Sequence, residues 1–180
     1  MQTKEYTVID KSAWPRGPWD NEPDKRQWQD EATGLPCMVR RVPNKGFLCG
    51  YVGVHEGHPL FEQGWDSPAE GLRAHGGLNY FSFCNDNGGE ELGICHVVEP
   101  GENDRVWWLG FDCAHGLDFA PGERHFYESL GCTIPRRSEL DGRDAKNEAG
   151  HLRQSYCDFD YVVEQCRDLA QQLAAMIPAA

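Results

Sequence analysis

The stretch 105–118, RVWWLGFDCAHGLD, constrains this chain more than any other. Val106 to Phe111 is an apolar run of strand length, and a run of that kind demands cover on both faces. It leads straight into four ionisable side chains, Asp112, Cys113, His115 and Asp118. Asp112, His115 and Asp118 recur at every third position, which on a helical turn or a tight loop aims all three at one point. An ionisable cluster directly after a buried strand is costly unless it is satisfied or used. Trp107 and Trp108 alternate to opposite faces. One belongs to the core; the other, taken here as Trp108, either joins it or floors a pocket on which a flat ligand stacks.

A length of 180 residues suits one domain with a real core, and 1–180 is read as a single domain. The net charge of −12 sets the chain against general nucleic-acid binding, because phosphate backbones repel it. The acids are scattered among 17 Lys and Arg, so DNA mimicry is a poor fit. The first residues hold no apolar core of signal-peptide length, and no run of 18 apolar residues occurs anywhere. The expectation is a cytoplasmic protein that does not enter a membrane. Eight cysteines form no CxxC pair, which argues against a zinc knuckle and for reduced, buried thiols.

Along the chain, Tyr6 to Ile9 reads as a short strand, and WPRGPW (14–19) as a loop clamped by its tryptophans. Asn21 and Pro23 open an expected helix that passes Trp28 and stops at Gly34. Residues 37–42 and 47–54 form a hairpin around Pro43-Asn44-Lys45-Gly46, with Gly50 and Gly53 marking a bulge or a close neighbour. His55 and His58 fall in a loop, where they read as polar filler. Ser67-Pro68-Ala69-Glu70 fits a capping box for a short helix that Gly76 and Gly77 end. Strands at 78–84, 94–98 and 105–111 follow as an antiparallel meander. Residues 119–155 are a loop-rich insertion or flap, with a short helix near 126–130. From Asp160 to Ile177, Val162, Cys166, Leu169, Leu173 and Ile177 draw an amphipathic stripe, with Asp158 or Asp160 as cap. The fold class is therefore α+β: an antiparallel sheet of about five strands with the C-terminal helix on one face.

Chemistry concentrates in two places. His75-Gly76-Gly77 puts a histidine beside permissive backbone at which a ligand can approach closely; a plain helix stop explains the same residues. Asp112, His115 and Asp118, joined by His75, make two imidazoles and two carboxylates, a set that suits zinc, manganese or iron with an open position. His75, Asp112 and His115 are the catalytic candidates, and Asp112 capping its own loop is the plainer alternative. Gly76, Gly77, Tyr80 and Trp108 are the ligand-binding candidates. His96, mid-strand, is read as a supporting residue. No P-loop, dinucleotide fingerprint, HExxH, GxSxG or kinase motif is present.

GFLCGYVGV (46–54), HGGLNY (75–80), WLGFDCAH with Asp118, and the terminal Tyr161-Val162, Cys166, Leu169-Ala170 and Leu173 resemble a small-protein family of bacteriophages, prophages and bacteria. The similarity spans roughly 35–118 and 156–175, and matches it at His75, Gly76, Gly77, Tyr80, Asp112, Cys113, His115 and Asp118. The chain departs at Asn79, where threonine is usual, and in an expanded 119–155 segment. The resemblance implies a phage context, with the host cytoplasm as location, and no mechanism. Three functions follow as expectations. The first is metal-assisted or acid–base hydrolysis of a small polar, nucleotide-like substrate. The second is non-catalytic sequestration of such a molecule, and the third is an acidic surface that engages a host protein.

Overall fold

The computed structural model describes residues 1–64, 68–132 and 154–177. These form an α+β fold, a six-stranded antiparallel sheet covered on one face by the last helix. In chain order the strands are β1 (Lys4–Tyr6), β2 (Lys25–Gln29), β3 (Pro36–Arg41), β4 (Leu48–Val54), β5 (Tyr80–Ser82) and β6 (Trp107–Asp112). Their order in the sheet is β1-β2-β3-β4-β6-β5. The helices are α1 (Gly89–Leu92), α2 (Glu123–Ser129) and α3 (Phe159–Ala174). Among the described residues no helix is long and apolar enough to cross a membrane.

β6 is an inner strand, as its composition requires, paired with β4 on one side and β5 on the other. Its alternation divides the sheet. Leu109 and Phe111 join Val39, Val52 and the α3 stripe in the main core, while Trp108 lies in a second cluster on the opposite face with Met38, Tyr51 and Ile94. The 37–54 hairpin forms as expected. Gly50 and Gly53 mark close neighbours and no bulge: a Cβ on Gly50 would lie 2.4 Å from the Phe111 ring and 2.7 Å from Cys166 Sγ, and the register runs through both glycines unbroken. On α3, Asp158 accepts from the Tyr161 N–H at 2.8 Å as N-cap. Val162, Cys166, Leu169 and Leu173 are buried. Ile177 is 49% exposed and leaves the stripe, since the helix stops short of it.

Several expectations give way. The first strand covers Lys4–Tyr6 and not Tyr6 to Ile9. The expected helix after Asn21 is strand β2, which pairs with both β1 and β3; two backbone ladders outweigh a local capping signal. Residues 95–98 form no strand, so β5 and β6 pair directly and no three-strand meander exists. That segment instead crosses the second face, where Gln27 accepts from the Val97 N–H and Lys25 donates to the Cys95 carbonyl. The capping-box segment gives a single 3-10 turn, Pro68–Gly71, and its Ser67 lies outside the described residues. Of the 119–155 insertion, α2 is formed and 133–153 lie outside the described residues. Cys84 and Cys95 form a disulfide across a one-bridge hairpin, against the reading of all eight cysteines as thiols; the other six are free. His58 is no filler: buried, its Nε2–H donates to Leu173 O and its Nδ1 accepts from Leu60 N–H, both at 3.0 Å.

A buried ionic network ties the N-terminal third to the start of α3. Asp24, fully buried, accepts from the backbone N–H of Val8 and Ile9, from Lys11 Nζ at 2.7 Å and from Arg41 Nε at 3.2 Å. Arg41, also fully buried, donates further to Gly46 O, to the Tyr156 hydroxyl at 2.7 Å and to Glu22 at 2.8 Å. Glu22 in turn accepts from Tyr156 OH and from the Phe159 N–H. Burial works against the charge on Arg41, but Tyr156 and Glu22 outweigh it and hold the guanidinium more firmly protonated than usual.

Two predictions follow from this core. Asp24→Ala removes the buried carboxylate that Arg41 and Lys11 share, leaving Arg41 with Glu22 alone, and costs about 3–5 kcal/mol in a urea titration. Burial raises the thiols of Cys37 and Cys166 and pushes Cys49 up to about 12, whereas in the unfolded chain such thiols ionise near about 8.5. Their stabilisation is complete below that pH, and falls above it because only the unfolded state then loses protons. The urea midpoint should drop between pH 8.5 and 10, each thiol contributing about 1.4 kcal/mol per pH unit, and Cys49→Ala should make the decline shallower.

Candidate metal centre

Beyond Asp112 the chain leaves β6 in a tight turn that the Asp118 side chain closes. Its Oδ2 accepts from the His115 N–H at 2.8 Å, and the Asp118 N–H donates to His115 O at 2.9 Å. The turn is then stitched to the approach to α3: Ser155 N–H donates to Leu117 O and Phe119 N–H to Ser155 O, both at 2.8 Å. This stitch, with Tyr156 anchored by Arg41, delivers Cys157 beside Asp118. From the other side, His75 arrives after the Pro68–Gly71 turn.

The donors meet around His75. Its Nε2 lies 2.9 Å from Asp118 Oδ2 and 3.9 Å from Cys157 Sγ. Its Nδ1 lies 3.0 Å from the hydroxyl of Tyr161 on the first turn of α3. Cys157 Sγ is 3.8 Å from Asp118 Oδ1, and His115 Nδ1 is 3.1 Å from Asp118 Oδ2. Two overlapping triads result, His75–Cys113–Cys157 and His75–His115–Asp118, each with its ligand atoms within 4.8 Å of one another. Donors around a tetrahedral zinc stand roughly 3.3–3.8 Å apart, given its bond lengths of about 2.0–2.3 Å. The observed spacings lie close to that range, so these groups can hold a divalent metal.

The electrostatics agree. Burial works to raise the Asp118 carboxyl, but hydrogen bonds from His75 and from the His115 backbone and side chain outweigh it and hold the group below its ordinary value. The hydrogen bond with Cys157, and then burial, raise the Cys113 thiol. Cys113 and Cys157 are buried, whereas the His115 side chain is 41% exposed. The cluster has a closed, sulfur-lined inner side and an open imidazole side.

The sequence-expected residues are distributed unevenly. His75, His115 and Asp118 come together. Asp112 touches the edge only: its Oδ1 is 3.9 Å from His115 Nδ1 and accepts from the Ala114 N–H, and its Oδ2 accepts from Asn79 at 2.6 Å. It belongs to neither triad, because strand alternation turns it to the face opposite Phe111 and Cys113. Trp108 and Tyr80 lie on that opposite face as well. Trp108 is fully buried there, and Tyr80 packs edge-on against Tyr51 and donates to Phe83 O. Gly76 and Gly77 both have positive φ, and a Cβ on Gly76 would fall 1.9 Å from His115 Cε1. Gly76 lets the backbone lie against the imidazole, whereas Gly77 has open space around it and serves through its positive φ alone. His96 packs edge-on against Trp108 at 5.6 Å, away from the cluster, and burial lowers its pKa.

Sequence reasoning missed Cys157 and Tyr161, and it placed Cys113 in the cluster without counting it as a ligand. Cys157 is 39 residues from Asp118 and 82 from His75 in the chain, so no local spacing pointed to it. Its position just before the N-cap of the clearest helix was the one available signal. One cavity of about 360 Å³, lined by Arg73, Ala74, Gln165, Asp168, Gln171 and Gln172, sits on the α3 flank next in sequence to His75. Convergent donors define the site better than that hollow does, because the hollow contains none of them.

No protein-family model, curated protein or solved structure matches this chain.

Gly76→Ala combines a left-handed backbone with a clash against His115. It should destabilise the protein by at least about 1–2 kcal/mol and shift the His115 imidazole resonances in NMR spectra.

Proposed function

We propose that this protein is a metal-dependent hydrolase of small polar substrates, with zinc held by His75, Cys113 and Cys157 and served by the Asp118–His115 pair. One observation carries the reading: the donors converge. In a nucleophile–base–acid relay, the carboxylate and the nucleophile hydrogen-bond to opposite nitrogens of the histidine. Here Asp118 and Cys157 both address His75 Nε2, while Nδ1 is occupied by Tyr161. Convergence on one nitrogen is the pattern of a coordination site, and a partner on the second nitrogen is what orients a metal-bound imidazole. Two thiols with an imidazole favour zinc over manganese among the candidate ions.

A bound metal would supply the chemistry of a Lewis acid that makes water nucleophilic near neutral pH. Asp118, its carboxyl held below the ordinary value and hydrogen-bonded to both histidines, would stand beside it as an anionic acceptor. His115, at the exposed mouth, takes a proton from the attacking water and returns it to the leaving group, so that water adds across the scissile bond with no net proton change. Tyr161 positions His75. A small polar, nucleotide-derived molecule is the first substrate class to try.

Elemental analysis of the purified protein, followed by cobalt substitution, tests the reading. One equivalent of metal should be present or bind tightly. A thiolate-to-cobalt charge-transfer band should appear, and should weaken in both Cys113→Ser and Cys157→Ser. His115→Ala should keep the metal and lose hydrolysis. The reading is overturned if no divalent metal binds, or if His75→Ala and the two serine variants bind it as well as the wild type does.

A further inference from the structure

We infer that the sheet face opposite α3 carries a second, independent site, a receptor for a small oxyanion centred on Arg40. Arg40 is set apart among the described cations by a buried side-chain nitrogen that no acceptor meets. Among the described residues, Lys4, Lys11, Arg16, Arg26, Arg41, Arg105 and Arg167 each have an acidic partner. Arg40 has none, and its Nε is buried with no hydrogen-bond acceptor. A buried guanidinium N–H without a partner is costly, so the site calls for an acceptor.

The sheet register supplies the surroundings. One cross-strand row on this face runs Lys25, Arg40, Cys49, Asp112. Lys25, directly opposite Arg40, is fully buried, and its ammonium donates to two neutral carbonyls, Glu90 O at 2.5 Å and Cys95 O at 2.7 Å. Two positive charges therefore stand opposite each other across the ladder, and among the described residues neither forms an ion pair. Burial first, and Arg40 next, bring the Lys25 pKa down to about 8 against the opposing charge of Glu90. The guanidinium also bears on Cys49, Tyr51 and Tyr80, whose ionised forms it favours. Tyr51 and Tyr80 meet each other edge-on at 5.3 Å on the same face. Asp112, at the far end of the row, has its oxygens engaged by Asn79 and Ala114.

This combination selects the ligand class. A guanidinium edge offers parallel N–H donors that fit two oxygens of a carboxylate or a phosphate, and Lys25 adds an attractive field from behind without having to make contact. The ligand is a small oxyanion, and phosphate and carboxylate are told apart by the test. The inference does not depend on the metal reading, since none of its residues belongs to the metal cluster.

Inorganic phosphate and, separately, acetate are titrated into the full-length protein against sodium chloride at matched ionic strength, following the Arg40 Nε–H resonance in the wild type and, in every variant, the backbone amides of its cross-strand neighbours Lys25 and Cys49. One anion should shift that resonance saturably, and whichever does identifies the group recognised. Arg40→Met should reduce affinity for that anion by at least about tenfold, one charge-assisted contact of about 1.4 kcal/mol or more. Arg40→Lys, which keeps the charge and loses the fork, should lie between the two. His115→Ala should bind the anion unchanged. Shifts no larger than those with chloride, or undiminished binding by Arg40→Met, overturn the assignment.

Discussion

Arg41 holds this molecule together. A fully buried guanidinium is tolerable only when its N–H groups all find acceptors, and those of Arg41 reach across chain segments that are far apart in sequence. Asp24 at the start of β2, Gly46 in the hairpin turn, Glu22 before β2 and Tyr156 before α3 all meet on it. Glu22 passes the constraint onward by accepting from the Phe159 N–H. Cys157 lies between Tyr156 and Phe159, so the network that closes the N-terminal half also sets the position of a donor in the candidate metal centre. Lysine could not substitute, because a point charge lacks the planar fork that reaches several acceptors at once.

The sheet turns one motif into two environments. Successive residues at the end of β6 point to opposite faces, so Asp112 joins the row with Arg40 while Cys113 faces the α3 core. His115 and Asp118 escape the alternation because they lie past the strand, in a turn that Asp118 itself closes. The result is a sulfur-rich, closed side against α3 and an imidazole side open to solvent. Gly50 and Gly76 serve the same end by different means. Gly50 leaves room for Phe111 and Cys166 to meet inside the core, and Gly76 lets its backbone rest on the His115 ring.

Much of this was legible locally. The apolar run of β6, the 37–54 hairpin and the α3 stripe each repeat at the period of the structure they form, so a single stretch of sequence carries the signal. His75, His115 and Asp118 were legible as well, because His115 and Asp118 flank one turn and His75 precedes paired glycines. Where the reading failed, the deciding partner was remote. Asn21 and Pro23 announce a helix, but β1 and β3 offer two ladders and the segment becomes β2. Residues 94–98 alternate like a strand, yet Lys25 and Gln27 capture their backbone groups and Cys95 is drawn to Cys84.

By itself, then, the sequence determined the class of the fold, the inner position of β6, the helix that covers it, and the presence of a His/Asp cluster at the strand's end. These follow from hydrophobic periodicity and turn chemistry, which act over a few residues. Only the tertiary structure decided that Cys157 and Tyr161 complete that cluster, that Asp112 stands outside it, and that Arg40 is left without a carboxylate. Such facts depend on which distant segments share a face and where their side chains end. Strand register and the buried ion network set those distances, and neither leaves a periodic trace in the chain.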